Sequence, residues 1–354
     1  MRKLICALLA MMFLIGCGLG ACAEEKAVQF RDEVTLPKLT PADHPAIEGE
    51  SQLTGLPASG EAYTPIAIPL DNSPEVYPLW GISEADVLFQ VPLTENGATR
   101  LMALYGNVYP EQAGGVRSGR MTLLPLARAF DAAFAYAGVP PIGVEPISVD
   151  YWLGEWGYRK PTRHFNLLGD HFRERVDFLK KPNNLSAKIA ELHEHLVERK
   201  VAFAERPFLF TDEAPEAGEE ATVISVEYLH HGNSSKTNES SASTFEWQDG
   251  TGYIRASKAG GMTDRTTGET VAFANVVIMK VAVEWEKGYP YYANQMRGSG
   301  AAVFFQDGRM TEGAWLHNGD TDRLVFLDEK GNEMTFRRGK TFIVVGDDLA
   351  VQYR

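Results

Sequence analysis

The stretch AAVFFQDGRMTEGAWL, residues 301–316, alternates apolar and polar side chains around the pair Asp307-Gly308. Asp-Gly between two such runs marks a tight hairpin. The texture continues outward in both directions. VISVEYL, TFEWQDGTGYIRAS and NVVIMKVAVEW lie upstream, RLVFLDEKGNEMTFRRGKTFIVVG and AVQYR downstream. Asp249-Gly250 and Lys330-Gly331-Asn332 add turn signals at short spacing. Residues 222–354 therefore read as a β-rich antiparallel domain, a sandwich or barrel. HHGNSSKTNESSAS, from His230, is a polar loop within it.

Before this region DEAPEAGEEA, residues 212–221, is acidic and carries proline and glycine, and it predicts a domain boundary. Residues 63–212 predict a mixed α/β domain, so the chain as a whole predicts an α+β fold. PIAIPLDN, DVLFQVPL, RLMALYGN and AAFAYAG have strand patterns, with Asn96-Gly97 as a hairpin signal. Two stretches predict helices. HFRERVDFLKK places Phe172, Val176 and Leu179 on one face, and LSAKIAELHEHLVERK does so for Ile189, Leu192 and Leu196 with Ser186 as N-cap.

Residues 23–62 are polar, proline-dotted and without sustained periodicity, which predicts a flexible tether. Ahead of them, the basic head MRK and the apolar run LICALLAMMFLI predict a signal peptide over 1–22. The run is shorter than the roughly 20 residues of a membrane span. LIGC and LGAC both have the form of a lipobox, so Cys17, or alternatively Cys22, is the expected lipidated residue. Ala21-Cys22-Ala23 also fits ordinary signal cleavage, which leaves free secretion as the alternative. The expected location is extracytoplasmic, on the cell membrane. All three cysteines lie in this leader, so the body has no disulfide and no thiol nucleophile.

The 34 basic against 47 acidic side chains give a net charge of −13, which argues against nucleic-acid partners. No HExxH pattern, phosphate loop, Rossmann fingerprint or GxSxG elbow is present, so no metal and no cofactor is expected. His193 and His195, two apart on a predicted helix, read as solvated.

GVRSGRMTLLPLARAF, residues 115–130, has a different chemistry. Arg117, Ser118 and Arg120 follow Ala113-Gly114-Gly115, read as a flexible approach, and precede a helix starting near Thr122. Guanidinium forks beside a helix start suit a carboxylate or phosphate. Pairing with internal acids such as Asp71, Asp86 or Asp131 is the other reading. A second basic cluster, YRKPTRHFN, follows the aromatic run YWLGEW and holds Arg159, Lys160, Arg163, His164 and Asn166. It suits a sugar or phosphorylated ligand, or a solvated loop.

These landmarks resemble the YerB-like family of bacterial lipoproteins, whose function is not established. They are Asp71-Asn72, Ala85-Asp86-Val87, Thr99-Arg100, Gly115-Val116-Arg117-Ser118-x-Arg120, Asn166-Leu167, Asp264, Asn275-Val276, Gly298-Ser299-Gly300 and Gly313-x-Trp315. The resemblance covers almost the whole body. It implies a lipoprotein with a mixed N-terminal and a β-rich C-terminal domain. The chain departs from the family at Gln90, where a glutamate is usual, at His164-Phe165, where histidine usually sits directly before Asn166, and at Met121, where proline is usual.

The function expected is an envelope-anchored protein that binds an anionic ligand through Asp71, Asn72, Arg100, Arg117, Ser118, Arg120 and Asn166. Its partner would be a cell-wall fragment or another surface protein. The alternative is a metal-independent hydrolase or transferase with Ser118 as nucleophile and His164 as base. Whether the protein is an enzyme stays open on these residues.

Overall fold

The computed structural model describes residues 24–31, 34, 45–94, 97–229, 238–285, 288–289, 291–294, 296–319 and 322–354. The leader with Cys17 and Cys22, Asn96, and residues 230–237 lie outside these.

The hairpin of the opening stretch forms from Gly298–Gln306 and Arg309–His317. Asp307 and Gly308 both have positive φ, 49° and 70°, as the favoured two-residue turn requires. This hairpin is part of a large sheet. Inward from Gly298–Gln306 come Asn275–Lys280, Thr341–Gly346, Val87–Pro92, Thr99–Tyr105, Ile66–Leu70, Ala133–Tyr136 and His164–Asn166. Strands from both halves of the chain thus share one sheet. They meet where Thr341–Gly346 runs parallel to Val87–Pro92, from Thr341 opposite Val87 to Val344 opposite Gln90.

A second sheet has the order Lys26–Ala27, Leu349–Tyr353, Val223–Tyr228, Ala242–Gln248, Gly252–Ala256, Ala272–Phe273. It is antiparallel, as the alternation predicts. The fully antiparallel expectation for residues 222–354 fails at Asn275–Lys280, which runs parallel to Thr341–Gly346. The reason is burial on both faces. In Asn275–Lys280, Val276 and Ile278 enter one core while Val277 and Met279 enter the other. In Thr341–Gly346, Phe342 and Val344 oppose Ile343 and Val345 in the same way. Such strands read as continuous apolar runs and occupy sheet interiors.

One face of the large sheet is covered by the second sheet and by the helix Ile189–Glu198. The other face is covered by the helices Leu124–Ala129 and Val149–Glu155 and by Phe208, Phe326 and Phe336. The chain is β-rich, and no helix of the described residues is long and apolar enough to cross a membrane.

Several local expectations give way. Residues 171–181 are not helical: Arg173–Arg175 is a strand paired with Leu185–Ala187. Pro182 disfavours helix at Lys181, and the Asn184 amide closes the turn onto the Val176 carbonyl. Ser186 caps no helix. It lies in that strand, where its hydroxyl accepts from Trp80 Nε1 at 2.9 Å. His193 is not solvated. It is buried, stacked on Tyr109 and bonded to the Ala62 carbonyl.

The described parts of the 23–62 stretch lie on the body. Lys26–Ala27 extends the second sheet, Leu53 enters a core, and Gln52 and Thr54 carbonyls accept from Phe208 and Gly339. Docking through single anchors leaves no periodicity to read. The 212–221 stretch is likewise tied at both ends, since Leu209–Thr211 pairs with Thr335–Arg337 and Glu219–Glu220 with Arg309 and Met310.

Candidate functional site

The arginine stretch fills a slot in the large sheet. Ile66–Leu70 pairs with Ala133–Tyr136 only at Ile66 and Ala67. Beyond that the two strands diverge, and residues 115–119 enter between them. Arg117 N donates to Pro69 O at 2.9 Å, Asp71 N to Gly115 O at 3.0 Å, and Ala137 N to Arg117 O at 2.9 Å. The preceding glycines answer close contact rather than a need for flexibility. A Cβ on Gly114 would stand 2.2 Å from the Trp80 ring, and one on Gly115 would stand 2.5 Å from the Asn183 carbonyl. Arg120 O then accepts from Leu123 N and Leu124 N and starts the helix, with Pro125 tolerated in its first turn.

This threading brings Arg117 and Arg120, with Arg100 of the neighbouring strand, to the C-terminal ends of the parallel strands, the usual place for ligands in sheets with parallel strands. Arg117 forks onto Asp71 Oδ2 at 2.8 and 2.6 Å and also reaches Asn183 Oδ1. Arg120 lies over the ring of Tyr291, 4.4 Å from its centroid, and donates to Gly119 O. Arg100 comes from the neighbouring antiparallel strand, next to Leu101, which pairs with Leu70.

Arg100 is 8% exposed, yet its Nε and Nη1 are buried and have no hydrogen-bond partner among the described residues. Burial pushes its guanidinium down to about 9; Asp71 opposes this, while Arg120 and Arg117 add to it. Arg120 is also held below the usual arginine range, first by burial, and its Nε is buried without a partner. Among the described residues of this cluster, three guanidiniums face the single carboxylate of Asp71. Each buried donor left unmet costs on the order of 1–3 kcal/mol.

The other expected site residues have different positions. Asn72 is fully buried behind the cluster; its amide donates to Thr99 Oγ1 at 2.8 Å and its Oδ1 accepts from Tyr77 OH. Asn166 Oδ1 accepts from Gly138 N and Leu168 N, which fastens the turn onto which Gly119 docks. The Ser118 hydroxyl has no hydrogen bond among the described residues. His164 Nε2 is 2.6 Å from Tyr136 OH, and no hydrogen bond joins His164 to Ser118.

Sequence reasoning missed Tyr291 and the buried polar chain behind the arginines. Gln90 Oε1 accepts from Arg255 and from Ser243 Oγ, while its amide donates to Thr99 and to the Ser240 carbonyl. Arg255 is the one of these with a legible signal. In GYIRA it shares the inward register with Tyr253, and both are buried.

A β-rich body built from two halves, with an arginine cluster at a strand end, defines the class. The family described as "Protein of unknown function (DUF3048)" matches with its N-terminal domain over residues 53–202 and its C-terminal domain over 233–343. The chain belongs to this family. It is similar to "Putative lipoprotein YerB" of Bacillus subtilis (strain 168), 27% identical over 308 residues, 85% of this chain and 87% of the relative. The crystal structure of YerB protein from Bacillus subtilis matches with a TM-score of 0.69 at 25% identity, covering 85% of this chain and 99% of that one.

Proposed function

We propose that this protein is exported, lipid-anchored at the cell envelope, and binds an anionic group through Arg100, Arg117 and Arg120. The anchor reading is supported by the leader pattern around Cys17 and Cys22 and by the name of the relative. The binding reading is carried by one observation: Arg100 is a buried guanidinium without a hydrogen-bond partner among the described residues, beside two further arginines and the Asp71 carboxylate. Buried polar groups are ordinarily satisfied, and a carboxylate or phosphate offers the matching acceptors. Asp71 orients Arg117, and Asn72 and Asn166 support the scaffold. The hydrolase alternative gains no support, because the His164 ring is engaged by Tyr136.

Thermal denaturation with phosphate, phosphosugars and cell-wall fragments tests the binding reading. A ligand of the native state stabilises it by mass action, by about 2.7 kcal/mol at a hundredfold excess over Kd, and so raises the melting temperature. The expected result is a rise that Arg117→Ala/Arg120→Ala abolishes. A variant that melts far lower, with no ligand effect in the parent, would make the arginines internal struts.

A further inference from the structure

The second basic cluster of the sequence contributes Lys160 and Arg163 to the wall of a separate cavity. Its volume is about 550 Å³, and its walls include Arg128, Lys160, Arg163, Arg199, Lys200 and Arg206. That lies within the range of small-ligand sites, ~300–1,000 Å³. The cavity is at the other end of the strands from Arg117. Asp131 precedes Ala133–Tyr136 and Arg163 precedes His164–Asn166, whereas Asp71 and Arg117 lie beyond the strand ends.

The walls divide into two kinds of cation. Those in the floor are held in place. Arg163 forks onto Asp131 at 2.9 Å through both nitrogens and stacks on Phe203. Arg128 lies 4.0 Å over the ring of Trp156, and buried Arg206 donates to Arg128 O, with Asp131 and Asp322 supporting its charge. Those at the rim are unanswered. Lys160, Arg199 and Lys200 are exposed, and none has an acid partner among the described residues. In a chain with 47 acids to 34 cations, three adjacent cations without an acid are not an average surface.

Lys200 adds a second observation. It follows the helix Ile189–Glu198 with φ +52°, the left-handed conformation that favours glycine at this position. Its N–H closes on Val197 O. A charged residue stands where glycine is the easier choice. The negative end of the helix dipole also favours cations there, so the two explanations need separation.

We propose that this cavity is a second anion site, for a ligand carrying clustered phosphates. The three rim cations without an acid, Lys160, Arg199 and Lys200, exceed what a single monoanion neutralises, and like charges in a concave wall focus the field on a multivalent anion. The phosphates can belong to a soluble oligophosphate or to lipid headgroups, and the probes differ accordingly. The site is independent of the Arg100 cluster.

The test is calorimetric titration of the whole protein with tripolyphosphate and with orthophosphate, beside co-sedimentation with vesicles of phosphatidylcholine and phosphatidylglycerol. Tripolyphosphate is expected to bind more tightly than orthophosphate, and binding to weaken with salt. Lys160→Gln/Arg199→Gln/Lys200→Gln should weaken it roughly tenfold or more, about 1.4 kcal/mol, while Arg117→Ala/Arg120→Ala leaves it unchanged. Vesicle binding lost in the same triple variant assigns the phosphates to lipid; tripolyphosphate binding alone assigns them to a soluble ligand. Lys200→Gly separates site from helix end, since it removes the charge and relaxes the backbone. Weaker binding with an unchanged or higher melting temperature supports the site. Binding unaffected by Lys200→Gly and by the triple variant, or no binding of either probe, overturns it.

Discussion

Two buried arginines in this chain have opposite surroundings. Arg323 forks onto Glu333 at 2.8 and 2.9 Å and donates to the Pro207 carbonyl, so that of its nitrogens Nε alone is buried without a partner among the described residues. Arg100 is comparably buried and donates to nothing among the described residues. A guanidinium taken out of water is costly unless it is paired and hydrogen-bonded. The fold has acids in excess, and it provides one to Arg323. The difference separates an arginine whose charge folding answers with a carboxylate fork from one that the described residues leave without a hydrogen bond.

The comparison breaks most visibly at Arg323. Arg323→Met leaves Glu333 buried with its fork partner gone, and breaking a buried pair costs about 3–5 kcal/mol. A urea midpoint lowered accordingly is the expected result. A loss under about 1 kcal/mol would mean that the pair is replaceable, and the contrast with Arg100 would lose its meaning.

Arg100→Met has the opposite sign. It removes a buried charge that makes no hydrogen bond among the described residues and fills the space with an apolar chain. Replacing unfavourably buried charge by hydrophobic packing is neutral or stabilising by roughly 1–4 kcal/mol. The ligand-free variant should therefore unfold at an equal or higher urea concentration, and its melting temperature should no longer respond to anions. A marked destabilisation would show that Arg100 is already satisfied in the folded protein.

Much of this was legible in the sequence, for identifiable reasons. The hairpin at Asp307-Gly308 and the strand at PIAIPL follow from local pattern, and local pattern is what a sequence displays. The sharing of one sheet by both halves is not local. It depends on Thr341–Gly346 finding Val87–Pro92 across about 250 residues, and neither strand carries a mark of its partner. Among the site residues, Asp71, Arg100, Arg117 and Arg120 do come together. Asn72 and Asn166 were read as ligand contacts, but an asparagine that closes a turn and one that grips a ligand look alike in sequence. Tyr291 was invisible because its position over Arg120 is set by a bridge between Thr94 and Tyr291.

A third buried arginine allows the contrast to be tested by addition rather than removal. Arg255, 1% exposed, meets Ser243 Oγ, Tyr77 OH and Gln90 Oε1, with no carboxylate at ion-pair distance among the described residues. It is intermediate: hydrogen-bonded like Arg323, without an acid like Arg100. Gln90→Glu supplies the acid in place. The new carboxylate strengthens the bond to Arg255, because both partners are then ionised. It also ends the donation from Gln90 Nε2 to Thr99 and Ser240. That loss is limited, because Thr99 Oγ1 still accepts from Asn72 and still donates to the Ser240 carbonyl at 2.7 Å. A net gain in stability at neutral pH is the expected outcome. A salt-bridged glutamate has its pKa lowered in the folded state, so the gain is present above the unfolded value of about 4.3 and disappears as pH falls through the folded one. Urea denaturation of both proteins at neutral and acidic pH measures this. A variant less stable than the parent at neutral pH would mean that the amide's donation outweighs a counter-charge here, and that a hydrogen-bonded arginine in this core needs no acid.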